Sequence, residues 1–464
     1  MALDFVRIAP PTAKPPRDTP AEPASAAPSA APSIAPPTPA VAMDGATPVA
    51  LTPLAVECLE DTGLEAGFIS DLILKIFYFQ GVIEARKVVE VIKLPYRNLV
   101  DGLLEELKTR YFIEVQGANG PHPVLYKYAL TDKGMNKAQE LLGRSNYAGA
   151  CPVTLEDYTY MVGRQRARDA HVTRAVVEKA FSAMVLAPSV LEQLGPAINA
   201  GESIFVFGAP GNGKTTIAEI ATTCLGGDVY IPHTVIVEGE IIRVFDESVH
   251  RAVVEPSREV DGRWVRSQRP TVVAGGELTL PALDLTYSPE SKTYEAPLQM
   301  KANCGMFLID DFGRQQCSPA ALLNRWIVPL EKHVDYLNLA TGVKIKVPFE
   351  ELIVFSTNLS PKDLVDDAFL RRMQYKIEVP SPTPEQFREI FKRVARAKGV
   401  EYVEEAFVYL MDEYYDKAER DPQACHPRDL LNQLLSAARY YDVSPTLRKD
   451  LIDFACRSYF VKLS

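Results

Sequence analysis

What the chain does not contain narrows its class first. No apolar run approaches the roughly 18–20 residues of a membrane-spanning helix. Cysteine is sparse and scattered, at Cys58, Cys151, Cys224, Cys304, Cys317, Cys425 and Cys456. None stands in a C-x-x-C pair, so neither a zinc site nor a disulfide framework is suggested. Buried free thiols in a reducing cytosol are the expectation. A basic excess is missing too: the formal net charge is −10. No global field therefore draws the chain to nucleic acid or anionic lipid. The start, Met1-Ala-Leu-Asp-Phe-Val-Arg-Ile8, has no apolar signal core, and prolines follow soon after. A soluble, cytoplasmic protein without membrane insertion is expected.

One run carries most of the chemistry. Gly208-Ala-Pro-Gly-Asn-Gly-Lys-Thr215 fits the phosphate-loop pattern G-x-x-x-x-G-K-[ST]. An apolar strand, Ile204-Phe-Val-Phe207, enters it, and a helix-compatible stretch leaves it and stops at Gly226-Gly227. Gly208, Pro210, Gly211, Asn212 and Gly213 would let backbone N–H groups turn inward around phosphates. The helix start, with Thr216 in its first turn, adds partial positive charge. Lys214 would reach the β- and γ-phosphates of ATP, and the Thr215 hydroxyl would ligate Mg²⁺.

The 464 residues leave room for two or three domains. Residues 1–55 are Pro/Ala/Ser-rich and read as a disordered tether. The apolar tip at 3–8 is either a docking peptide or a frayed end. Residues 56–145 read as three helices (68–77, 84–92 and 96–107, the last opened by Pro95), a hairpin and a last helix. That order resembles a winged helix-turn-helix. Its 61–145 stretch holds eleven Lys/Arg and eleven Asp/Glu, without the basic excess of a DNA reader. Docking of a protein client is favoured, with DNA as the alternative partner. Residues 150–380 alternate strand and helix patterns, which predicts an α/β nucleotide-binding domain on a parallel sheet. Residues 381–464 read as four helices (385–397, 403–418, 427–441 and 445–460) forming a lid.

Further features follow the loop in order. Met306-Phe-Leu-Ile-Asp310-Asp311 is an apolar strand ending in two acids. Asp310 suits a Mg²⁺ site, and Asp311 suits orientation of the attacking water. Leu352 to Asn358 is a second buried strand, whose terminal amide either meets the γ-phosphate or caps a turn. Arg371 and Arg372 close a short helical pattern. Arg428 opens a lid helix in His426-Pro-Arg428-Asp. A stretch at 229–233 reads as the second strand of the sheet. Two strands flank Asp261-Gly262, with Arg263, Trp264, Arg266 and Arg269 on one of them. This hairpin either grips a polymer or is structural. Tyr336 to Val347 reads as another hairpin.

These features, in this order, resemble the AAA+ ATPases over roughly 165–445. The resemblance implies an α/β P-loop AAA+ core with a parallel sheet and a C-terminal helical lid. It makes Asn358 the sensor-1 residue, Arg372 with Arg371 the arginine finger, and Arg428 the sensor-2 residue, with ATP and Mg²⁺ as substrate and cofactor. It implies self-association, expected as a hexameric ring. The 336–347 hairpin resembles the pre-sensor-1 clades. The 165–207 stretch and Tyr294-Glu-Ala-Pro-Leu-Gln resemble the bacterial predicted ATPases with chaperone activity of Flp-type pilus assembly. One departure stands out: that family usually ends the acidic strand in Asp-Glu, and here it ends in Asp-Asp. A slow enzyme or a nucleotide switch is then a second expectation. A signalling switch of the STAND type shares Asp-Asp, but places its winged helix after the core and lacks the finger.

Overall fold

The computed structural model describes residues 52–253, 260–360 and 370–460. Most of the expected tether, its tip at 3–8, most of the 253–260 flank, and Asp366 and Asp367 lie outside them.

A first hydrophobic cluster gathers buried residues from Val56 to Cys151. Its helices are α1 (Ala66–Gln80), α2 (Ala85–Ile92), α3 (Asp101–Thr109) and α4 (Asp132–Leu142). Its strands are β1 (Ile83–Glu84), β2 (Ile113–Ala118) and β3 (Tyr126–Leu130), with β3 antiparallel to both others. The Thr131 hydroxyl caps α4 by accepting from the Gly134 N–H. The third helix starts later than Pro95 predicts. Arg97 is extended and Asn98 is left-handed at φ 63, a conformation Asn tolerates. The kink turns Leu99 and Val100 into the core.

The expected α/β class holds. β4 (Val153–Thr154), α5 (Leu155–Arg164), α6 (Arg174–Ala180) and α7 (Pro188–Ala200) lead to β5 (Ile204–Phe207) and α8 (Lys214–Cys224). Next come β6 (Asp228–Pro232), β7 (Thr234–Val237), β8 (Glu240–Arg243), β9 (Trp264–Gln268) and β10 (Thr271–Ala274). β11 (Thr286–Ser288), β12 (Thr293–Glu295) and α9 (Leu298–Ala302) precede β13 (Met306–Ile309). α10 (Pro319–Lys332) and the antiparallel hairpin of β14 (Val334–Asn338) and β15 (Lys344–Pro348) precede β16 (Leu352–Thr357). β17 (Tyr375–Glu378) completes the central sheet, whose order is β10-β13-β16-β5-β17, all parallel. Numbered along the chain, its strands thus lie 2-3-4-1-5.

Alternation decides the two faces. Ile204, Val206, Met306, Leu308 and Val354 pack with Ile217 and Ala221 of α8 and Leu194 of α7. Phe205, Phe307, Ile309 and Phe355 pack on the other side with Leu322 and Trp326 of α10. Helices therefore cover both faces, as a parallel sheet requires.

The second strand of this sheet is β10, not 229–233 as expected. β6, over 228–232, pairs antiparallel with β9 instead. The apolar pattern is the same for either partner, and only tertiary pairing separates them. A mixed sheet, β11-β12-β8-β7-β4, lies beside this pair in sequence.

The aromatic-basic stretch is structural, not a gripping surface. Trp264 is buried, at 6% exposure. Arg266 pairs with Asp228 at 2.8 Å. The Arg269 guanidinium donates to carbonyls of Gly226, Gln165 and Cys304. Arg263, buried with Asp261, bonds its carboxylate at 2.9 Å and donates to the carbonyls of Thr62 and Pro152. One buried ion pair thus ties the first cluster to the inserted strands.

Beyond the sheet stand α11 (Pro384–Lys398), α12 (Glu404–Met411), α13 (His426–Tyr440) and α14 (Lys449–Tyr459). Phe387, Phe391, Phe407, Leu431 and Ile452 form their core. The helix expected to run on to 418 is regular only to Met411, then widens into a π turn over Asp412–Asp416. No described helix is long and apolar enough to cross a membrane.

Replacing Arg263 with Met leaves Asp261 buried without its cation. Removing one partner of such a pair typically costs about 3–5 kcal/mol. Chemical denaturation of the Arg263→Met chain should show a loss of this size. A loss within error of zero would mean the pair does not fasten these segments.

Candidate functional site

β5 runs into a loop whose backbone only glycine can follow closely. Gly208 has φ 145, and a Cβ there would lie 2.3 Å from the Val379 carbonyl oxygen. Gly211 has φ 78, and a Cβ there would lie 2.4 Å from the Cys425 Sγ. The loop is thus wedged between the end of β17 and the segment that opens α13. Asn212, only 2% exposed, holds that wedge. Its Oδ1 accepts from the Ala424 N–H at 3.3 Å, and its Nδ2 donates to the Ser381 hydroxyl at 3.4 Å. α8 then starts at Lys214 behind a left-handed Gly213, with no side chain capping its first turn. Pro210 and Gly211 form the exposed tip, and Thr216 is exposed in the first turn.

Lys214 is buried, at 6% exposure. Its Nζ donates to the Gly208 carbonyl at 3.1 Å, to the Ala209 carbonyl at 3.0 Å, and to Asn358 Oδ1. Burial lowers its pKa, against which Asp310 and Asp311 pull upward. The Thr215 hydroxyl donates to Asp310 Oδ2 at 2.8 Å. Asn358 Nδ2 donates to Asp311 Oδ1 at 3.2 Å. Five expected residues therefore meet at the C-terminal ends of β5, β13 and β16. This is where a parallel sheet opens a crevice, between strands 1 and 4.

The residues fit Mg²⁺ and a nucleotide. Thr215 and Asp310 supply hard oxygens side by side, and among the described residues no cluster of three or more His, Cys, Asp or Glu is built to hold a metal alone. Mg²⁺ commonly takes one or two protein ligands plus phosphate oxygens and water.

The arginines lie elsewhere. The Arg372 carbonyl accepts from the Ser203 hydroxyl, at the start of β5 and so at the end of the sheet away from the loop. Its Nε donates to Glu331 at 2.6 Å. Arg371, beside it, is exposed. Arg428 sits in the first turn of α13, its side chain 65% exposed and paired with Asp429 at 3.0 Å. It lies three residues past Cys425 without bonding the loop.

Sequence reasoning missed two parts. The 423–425 segment that meets Gly211 and Asn212 carries no motif. Gln315, whose side chain bonds the turn under both acids, looks like any polar loop residue.

A family model described as a domain of unknown function, DUF8689, matches residues 383–458, within the C-terminal helical part. No curated protein matches. Among solved structures, NtrX from Brucella abortus in complex with ADP is 14% identical over 59% of this chain and 56% of that one, with TM-score 0.37. The chain thus spans little more than half the NtrX length. RuvB, the Holliday junction branch migration motor of Thermotoga maritima, is 14% identical over 59% of this chain and 70% of its own, with TM-score 0.35. At such scores no residue role transfers from either protein.

Glu351 stands at the root of β16, the strand that delivers Asn358. It is buried, and among the described residues neither carboxylate oxygen has a hydrogen-bond partner. Its neighbours are served: Glu350 pairs with Arg168 at 2.9 Å and Asp335 with Arg325 at 2.6 Å. Burial, and then the charges of Asp335 and Glu350, hold the Glu351 pKa well above the usual range. The folded chain keeps a proton that the unfolded chain releases above about pH 4.3. Stability from this group is therefore full at lower pH and declines as pH rises through that window. Urea denaturation of parent and Glu351→Gln chains at pH 5 and pH 8 should show the parent losing ground to the variant as pH rises. Equal pH slopes would contradict this.

Proposed function

We propose that the chain is an AAA+ ATPase that hydrolyses Mg-ATP, assembles with copies of itself into a ring, taken as hexameric, and remodels a protein client. The observation that carries this is the meeting of Lys214, Thr215, Asp310, Asp311 and Asn358 at one crevice. The strand order 2-3-4-1-5, read from the far edge as 5-1-4-3-2, supports it.

Lys214 binds the β- and γ-phosphates, leaving the carbonyls and the amide that now hold it. Asp311 orients a water for in-line attack on the γ-phosphorus, the bond to the β-phosphate oxygen breaks, and ADP and phosphate depart. Thr215 and Asp310 would hold Mg²⁺, which neutralises phosphate charge when bound. Asn358, freed by Lys214, keeps Asp311 aimed. Arg372 faces away from its own loop, which suits a finger offered to a neighbour. Arg428 joins the nucleotide as the lid closes.

Residues 56–145, as a winged-helix-like domain, would dock the client, tethered by 1–55. Their cations favour a protein over DNA, because helix neighbours already engage them: Lys108 with Glu105, Arg110 with Glu106, and Lys87 with Glu90. A cytoplasmic client of pilus or secretion assembly is the one the resemblance names.

The test mixes two defective chains. Arg372→Ala should bind a fluorescent ATP analogue like the parent but turn over about 10³-fold more slowly. Lys214→Ala should lose tight binding. Mixed, one supplies a sound site and the other a sound finger, so turnover should partly return. Parental binding by Lys214→Ala would sink the site. No recovery in rings that exchange subunits would sink the finger.

A further inference from the structure

We infer that Gln315 is a positioning residue for hydrolysis: its amide holds the turn that aims Asp311. The inference rests on the ATPase reading above.

The turn after β13 carries both acids in a strained shape. Asp311 has φ 48, in the left-handed region, which costs a non-glycine residue about 1 kcal/mol or more and persists only where surroundings enforce it. Two anchors lie on the core side. The Phe312 N–H donates to the Ser356 carbonyl at 2.7 Å, and the Phe312 carbonyl accepts from the Thr357 hydroxyl at 2.8 Å. The Phe312 ring is buried against Phe205 and Phe355. These fix where the turn sits; the Arg314 N–H then donates to the Asp311 carbonyl at 3.0 Å, and neither core anchor reaches the Asp310 carbonyl.

Gln315 does. Its Nε2 donates to the Asp310 carbonyl at 2.9 Å and to the Asp311 carbonyl at 3.2 Å. Its Oε1 accepts from the Gly313 N–H at 2.8 Å. One amide thus clamps both flanks of the strained residue. Nε2 also reaches the Gly275 carbonyl at 3.5 Å, on the loop after neighbouring β10. The clamp matters because Asp311 is short. A carboxylate on one methylene has little reach to correct a shifted backbone, and misplacement of about 1 Å can lower a rate about 10²-fold.

The experiment uses the full chain with Gln315→Met, which keeps length and volume but has no amide. Turnover should fall about tenfold to a hundredfold, while the Kd for a fluorescent ATP analogue and the thermal midpoint stay within error of the parent. Should the Met chain fail to fold, Gln315→Leu serves, with the same split between turnover and analogue binding as the readout. Parental turnover in the folded variant overturns the positioning role and leaves the ATPase reading intact. An inactive parent whose analogue binding is unchanged by Lys214→Ala overturns the ATPase reading itself.

Discussion

A buried ammonium organises this molecule. Lys214 is almost wholly enclosed, yet among the described residues its hydrogen-bond partners are two loop carbonyls and an amide oxygen. Neutral oxygens are weak compensation for a desolvated cation. Asp310 and Asp311 help from further off, and burial still pulls the pKa down. A polyanion entering the crevice would relieve the imbalance. The loop glycines, the uncapped start of α8 and the acids on β13 all sit where such an anion would lie.

The rest of the fold holds that arrangement still. Close packing sets Gly208 against Val379 and Gly211 against Cys425, so the loop and the segment opening α13 constrain each other. Phe205, Phe312 and Phe355 pack behind the acids in edge-to-face and tilted pairs. The Arg263–Asp261 pair fastens the first helical cluster to the inserted strands. The sequence pattern that suggested a polymer-gripping hairpin is the fastening itself.

Local signals were legible and pairing choices were not. The phosphate loop, the acidic strand and the strand ending at Asn358 are each set by a few contiguous residues, so they stood out. The four C-terminal helices showed through their apolar period and through caps such as Thr383 with Gln386. β6 was misplaced because an apolar run at 229–233 suits either a parallel core or an antiparallel pair. The start of α3 was misread because Pro95 is a common helix opener, whereas Asn98 here takes a left-handed kink. Gln315 was invisible because its role lies in three side-chain bonds and in no pattern.

The most direct measurement is an experimental structure of the full chain with Mg²⁺ and a non-hydrolysable ATP analogue. Lys214 Nζ should leave the Gly208 and Ala209 carbonyls for the β- and γ-phosphates, and Thr215 and Asp310 should part around the metal ion. An analogue bound elsewhere at saturating concentration, with Lys214 still tied to its own loop and to Asn358, would contradict the account.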